Sequence, residues 1–184
     1  CGVLLRGGVA LTVRRVIRKT RRGAGRARLR VAVVGAGKVG LVLGKILADN
    51  GAAITCVVSR TPGSASAGGR FLGCRNSSTR LAEIPRETDL VFIATPHDAV
   101  TSVAKALANE ADLDWPAMSV CHASGMLTAD ALAPLRAKGA TVFSFHPLQT
   151  FPRDFPPRKI FAKGITYGVD GEPAALRKAS QLAR

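Results

Sequence analysis

Two of the three histidines stand where proton chemistry can be done. His122 opens the run His122-Ala123-Ser124-Gly125, and His146 opens His146-Pro147-Leu148-Gln149-Thr150. Imidazole titrates near neutral pH, so either ring can carry the proton that accompanies hydride delivery to a C=O or C=N group. Ser124 can bond a substrate or carboxamide oxygen, and Gln149 can orient a substrate. Each histidine taken alone fits better as a strand-end cap bonded to backbone. The pair at one sheet edge is what raises the catalytic reading. Two histidines without a nearby carboxylate lack the ligands of a metal site, and none is expected. No G-x-S-x-G elbow is present, which speaks against a Ser/His hydrolase. His97, between Pro96 and Asp98, reads as a solvent-facing residue at a helix start.

A second group of residues suits a phosphate ligand. Gly35-Ala36-Gly37-Lys38-Val39-Gly40 has the G-x-G-x-x-G spacing of a dinucleotide loop. There the first glycine allows a tight turn, the second lets backbone approach a pyrophosphate, and the third lets helix pack on strand. The diphosphate then sits on the free N–H groups and positive end of the helix. Further along, Ser59 lies nineteen residues past Gly40 and is followed by Arg60 and Thr61, with no carboxylate. A site for NAD usually places Asp or Glu about 20 residues beyond the glycines, whereas Arg accommodates a 2′-phosphate. Two hydroxyls and a guanidinium here favour NADP over NAD.

The elements that must position these residues follow from hydrophobic patterning. Leu29, Val31, Ala32, Val33 and Val34 make a short, largely β-branched apolar run, as a strand buried on both faces requires. A helix follows over 38–50, with Gly51 as its stop, then a buried strand over Ala53–Val58 and a helix from Pro62 to Leu72. A short strand is expected near 75–81, a clear one over 89–95 and a helix over 98–109. A fifth strand, 117–123, delivers His122 and Ser124. A short amphipathic helix spans 128–138 with Thr128 as N-cap, and a sixth strand, 140–145, delivers His146. A loop over 151–163, a strand over 165–169 and a helix over 172–183 complete the pattern. Strands alternating with helices mean right-handed βαβ units and a mainly parallel, doubly wound α/β sheet with helices on both faces. In that architecture the carboxyl ends of the strands line the ligand crevice, which puts Thr95, Pro96, His122 and His146 on one side.

Composition sets the bounds. The chain has 184 residues, 47% of them hydrophobic, which is one ordinary domain with a core of its own. The net charge is +15, but ten of the 27 Lys and Arg fall in residues 1–30, which hold no acid. No aromatic is interleaved there for base stacking, so nucleic-acid binding is not favoured over a solvated, poorly ordered extension, transiently helical around residues 9–17. No apolar run reaches the roughly 18 to 20 residues of a membrane span. The four cysteines show no metal-type spacing, and Cys56 and Cys121 fall in apolar strand patterns, which fits a reducing cytoplasm.

With these residues assembled, VAVVGAGKVG, DLVFIATPHDAV, CHASG and FSFHPLQTF resemble the reductase-like proteins that join a Rossmann-like N-terminal domain to a C-terminal helical domain of unknown function. These are similar in turn to pyrroline-5-carboxylate reductase, prephenate dehydrogenase and the deazaflavin-dependent NADP reductases of the 6-phosphogluconate-dehydrogenase-like superfamily. The resemblance covers about residues 29–184. It implies NADP binding at Gly35, Gly37, Gly40, Ser59 and Arg60, a loop at Thr95 and Pro96 against the cofactor, and a site near His122, Ser124 and His146. Prephenate dehydrogenases also carry a His-Pro after a late strand. The basic residues 1–28 have no counterpart, and the helical domain that closes the pocket and builds a homodimer in such families is missing from the match. The expectation is therefore an NADP-binding domain, residues 29–184, of an oxidoreductase acting on a small polar substrate. A non-catalytic NAD(P)-binding sensor module is the alternative.

Overall fold

The computed structural model describes residues 9–13, 28–149 and 165–182. Eight strands form one sheet, in the order β1-β8-β7-β6-β5-β2-β3-β4. The strands are β1 (Val9–Val13), β2 (Arg30–Val34), β3 (Ala53–Val58), β4 (Ser77–Ser78), β5 (Leu90–Ile93), β6 (Ser119–His122), β7 (Thr141–Pro147) and β8 (Ile165–Gly171). The six strands from β4 to β7 are mutually parallel; β8 runs antiparallel to β7, and β1 antiparallel to β8. The chain leaves β2 first to one side and later to the other, so the ends of β2 and β5 form a topological switch point, where this architecture binds ligands.

Side-chain parity explains why the central strands are continuous apolar runs. Val31 and Val33 face one core, with Phe92, Cys121 and Phe143, while Ala32 and Val34 face the other, with Val91, Ile93 and Val120. A strand with helices on both faces has no solvent side on which to place polar residues. The helices are α1 (Lys38–Asp49), α2 (Pro62–Leu72), α3 (Val100–Glu110), α4 (Ala133–Arg136) and α5 (Pro173–Leu182). Leu43 of α1, Leu72 of α2 and Ala175 and Ala179 of α5 pack on the first face. Val100, Ala104 and Leu107 of α3 and Leu135 of α4 pack on the second. The doubly wound α/β expectation is met.

Three local expectations are corrected. Residues 9–13 are not transiently helical: Val9 to Val13 pair with β8, Val13 opposite Ile165 and Val9 opposite Val169. The open edge of β8 supplies ladder partners, and a run with valines at both ends suits a pleated strand better than a helix. The loop expected over 151–163 lies outside the described residues. The helix expected over 128–138 is instead a 3₁₀ turn, Ala129–Leu132, followed by the single turn of α4. Pro134 lacks the N–H that would bond the Asp130 carbonyl, so one continuous α-helix cannot form. Lastly, β7 runs on through His146 and Pro147, which sequence patterning places beyond its end. Pairing with β8 carries it further, His146 lying opposite Gly168.

Candidate active site at the carboxyl ends of the strands

The loop from β2 to α1 shows what each glycine does. Gly35 has φ +105°, and a Cβ on it would lie 2.7 Å from the Ala94 carbonyl carbon at the end of β5. A Cβ on Gly40 would collide with the Gly35 carbonyl oxygen, so the first turn of α1 rests directly on the loop. Gly37 differs from both. Its φ is −82° and a Cβ there would meet nothing within 4 Å. The crevice floor at Gly37 is bare backbone facing open space.

That space is electrostatically prepared for an anion. Gly37 is the N-cap of α1 and has no side chain to cap it, and the first turn carries no acid. The N–H groups of Lys38, Val39 and Gly40 precede the first acceptor the helix can offer, since Leu41 N–H is the first to bond back, to the Gly37 carbonyl at 2.9 Å. Lys38 is exposed beside them. Ala36 and Val39 serve packing: a Cβ on Gly68 of α2 would come within 2.9 Å of the Ala36 Cβ, and Val39 packs on the first core. Across the loop the Thr95 hydroxyl is buried without a hydrogen-bond partner among the described residues. A polar atom in that state loses about 1–3 kcal/mol until something bonds it. Bare backbone, an uncapped helix end and an orphan hydroxyl together fit a dinucleotide.

At the end of β3, Ser59 is half-buried, its N–H bonded to the Ser78 carbonyl at 3.0 Å, and Arg60 is exposed with no ion pair among the described residues. Thr61 has a different task from the phosphate contact expected of it. Its Oγ1 accepts the Ser64 N–H at 3.3 Å and donates to the Ser64 hydroxyl at 2.9 Å, capping α2. Pro96 and His97 are exposed at the start of the turn that leads into α3.

The two histidines turn out to be unlike. His122 is completely buried. Its Nε2–H donates to the Thr128 carbonyl at 3.0 Å, and its Nδ1 accepts the Ser124 N–H at 3.2 Å. A carbonyl only accepts and an amide N–H only donates, so these partners define one neutral tautomer. Burial, the larger effect, pushes the His122 pKa below the ordinary histidine value, against the opposing influence of the Thr128 carbonyl. Both nitrogens are occupied, leaving none to exchange a proton with a ligand.

His146 is half-buried, and its Nδ1–H donates to the Ala123 carbonyl at 2.8 Å. Its Nε2 makes no hydrogen bond among the described residues. The ring lies flat on Gly125, where a Cβ would sit 2.6 Å from both Cδ2 and Nε2. Ser124 Oγ accepts the Met126 N–H at 3.2 Å, and its own O–H donates to no group among the described residues. Exposed Met126 and Leu148 flank this arrangement. Gly125 is the participant that patterning alone underrates; the signal was its place directly after Ser124. Cys56 and Cys121 are buried, and burial pushes both thiols up, Cys56 to about 12, so neither is a nucleophile.

Comparison with solved structures places the fold. A protein from Bacteroides fragilis assigned as an NADP oxidoreductase is 19% identical with a TM-score of 0.69, covering 85% of this chain and 57% of its own. Prephenate dehydrogenase from A. aeolicus, solved with hydroxyphenyl propionate and NAD+, is 15% identical with a TM-score of 0.67, covering 88% and 58%. A 3-hydroxyisobutyrate dehydrogenase from Salmonella typhimurium is 16% identical with a TM-score of 0.59, covering 84% and 52%. The chain thus spans less than three fifths of each neighbour. Among curated proteins none matches in sequence. No helix among the described residues is long and apolar enough to cross a membrane. The Rossmann-like domain family matches residues 18–147, most of the chain, and with the parallel sheet and its glycine loop the protein belongs to that family.

Proposed function

We propose that this chain is the NADP-binding domain of an oxidoreductase that transfers hydride between the nicotinamide and a small polar substrate, with His146 as the proton carrier. The observation that carries this reading is the open space over Gly37 at an uncapped helix end, in a loop packed against the end of β5, where the buried Thr95 hydroxyl has no hydrogen-bond partner among the described residues. The N–H groups of Lys38, Val39 and Gly40 would hold the diphosphate, and the Ser59 hydroxyl and Arg60 guanidinium the 2′-phosphate. Thr95 would bond the nicotinamide half. When bound, the cofactor supplies or accepts the hydride.

The remaining chemistry belongs to the chain. Because Nδ1–H is committed to the Ala123 carbonyl, neutral His146 presents a bare Nε2 and protonated His146 presents Nε2–H. In the reducing direction Nε2–H gives its proton to the carbonyl or imine heteroatom as the adjacent carbon gains hydride. In the oxidising direction bare Nε2 takes the proton from the carbinol. The Ser124 O–H donates to the same heteroatom and orients it. His122, expected beside these two as a catalytic residue, is left without a free nitrogen, so the catalytic set narrows to His146 and Ser124. The activities of the structural neighbours, an NADP oxidoreductase and two dehydrogenases, support the reaction class.

NADPH titration followed by nicotinamide fluorescence tests the binding half, with saturable binding expected and none up to millimolar cofactor refuting it. His146→Gln in the longest active form of the protein tests the other half. It is expected to keep NADPH affinity and lower hydride transfer about 10²–10⁴-fold, the usual contribution of a general acid or base. Retained binding with no turnover against any carbonyl or imine substrate would leave the sensor reading standing.

A further inference from the structure

We propose that His122 is a positioning residue: it folds residues 123–128 into the seat that orients His146. The inference rests on His146 being the proton carrier, but it concerns the seat and not the reaction.

The seat is one short path. β6 ends at His122, and the Ala123 N–H continues its ladder by bonding the Ile93 carbonyl at 3.0 Å. The chain then doubles back over the His122 ring, which spans the turn. Nδ1 takes the Ser124 N–H at its start and Nε2–H ties the Thr128 carbonyl at its finish. What the turn presents to His146 is the Ala123 carbonyl, which takes Nδ1–H, and Gly125, on which the ring lies. Both contacts come from the three residues that follow His122. Asp170 of β8 closes the far side, accepting the Ala129 N–H at 2.6 Å. The charged and titratable groups acting on His122 are Asp170 and His146 itself.

The two tautomers are therefore complementary. His122 must be the Nε2–H form to span the turn, and only then is the Ala123 carbonyl placed to hold His146 as the Nδ1–H form. A phenyl ring at position 122 fills similar space but binds neither end. Asparagine keeps an acceptor for the Ser124 N–H.

Ring-nitrogen NMR of ¹⁵N-histidine-labelled full chain tests this without substrate. In the wild type we expect His122 as a single Nε2–H tautomer and His146 as a single Nδ1–H tautomer. In His122→Phe the His146 ring should become a tautomer mixture, and His122→Asn should restore part of the wild-type signature. A His146 tautomer unchanged in His122→Phe overturns the proposal. Should His122→Phe fail to fold, the wild-type spectrum decides: His122 in the Nδ1–H form, or His146 in the Nε2–H form, overturns it. A fully active His146→Gln would instead refute the proton-carrier reading and leave these spectra unaffected.

Discussion

Replacing Gly37 with alanine separates ligand binding from folding. The backbone at Gly37, φ −82° and ψ 179°, is extended and open to any residue, and the added methyl meets no protein atom within 4 Å. Two small effects oppose each other in stability. Alanine is a poorer N-cap than glycine, at a cost of up to about 1 kcal/mol. It also restricts the unfolded chain, which stabilises by about 0.4–1 kcal/mol. The net is within about 1 kcal/mol of zero, so Tm should move by no more than about 2–4 °C for a chain of this size. Binding should respond differently. The methyl points into the open space where, on the proposed reading, the diphosphate would approach the loop, and backing the ligand away would weaken bonds from the N–H groups of the first turn. A hydrogen bond to a charged group contributes about 1.5–3 kcal/mol, so losing one raises Kd roughly 10- to 150-fold. The assay is NADPH titration beside thermal unfolding of the same preparations. An alanine variant of native Tm that binds NADPH as tightly as wild type would refute the placement of the diphosphate over Gly37.

Gly35→Ala should behave in the opposite manner. Its φ of +105° strains an alanine and its Cβ would lie 2.7 Å from backbone at Ala94, so several kcal/mol of stability should be lost, read from urea unfolding midpoints. Arg60→Ala should weaken NADPH roughly tenfold or more while leaving NADH nearly unchanged, and equal losses for the two cofactors would refute a 2′-phosphate contact. Stability should also depend on pH through His122. Its pKa is lowered on folding from the ordinary 6.5, so the unfolded chain binds the extra proton first. This contribution is complete above about pH 6.5 and is lost as pH falls below it. The unfolding midpoint of wild type should drop from pH 7 to pH 5.5 more than that of His122→Asn, which cannot titrate.

The glycine loop and the sheet around it were legible from residue types and spacing alone. A glycine spacing reports directly on where a Cβ cannot stand, and Gly35 and Gly40 prove to be such positions. A β-branched apolar run likewise reports burial on two faces, as Val31–Val34 confirm. The place of Ser59 and Arg60 just past the end of β3 was legible from their distance beyond the glycines, since the end of the next strand falls at a nearly constant offset in βαβ units.

Tertiary structure decided the rest, because those outcomes depend on partners far apart in the chain. Val9–Val13 is a strand only because β8 offers an edge more than 150 residues later. Thr61 is taken up by a local cap, which competes for its hydroxyl before any ligand can. His122 and His146 look alike in sequence, each an imidazole at a strand end. Two backbone groups on one turn occupy both nitrogens of the first, while the second, gripped by Ala123 at Nδ1 alone, makes no hydrogen bond at Nε2 among the described residues. Residue type says that a proton can be carried. Which nitrogen is free to carry it is settled only when chain segments more than 20 residues apart meet.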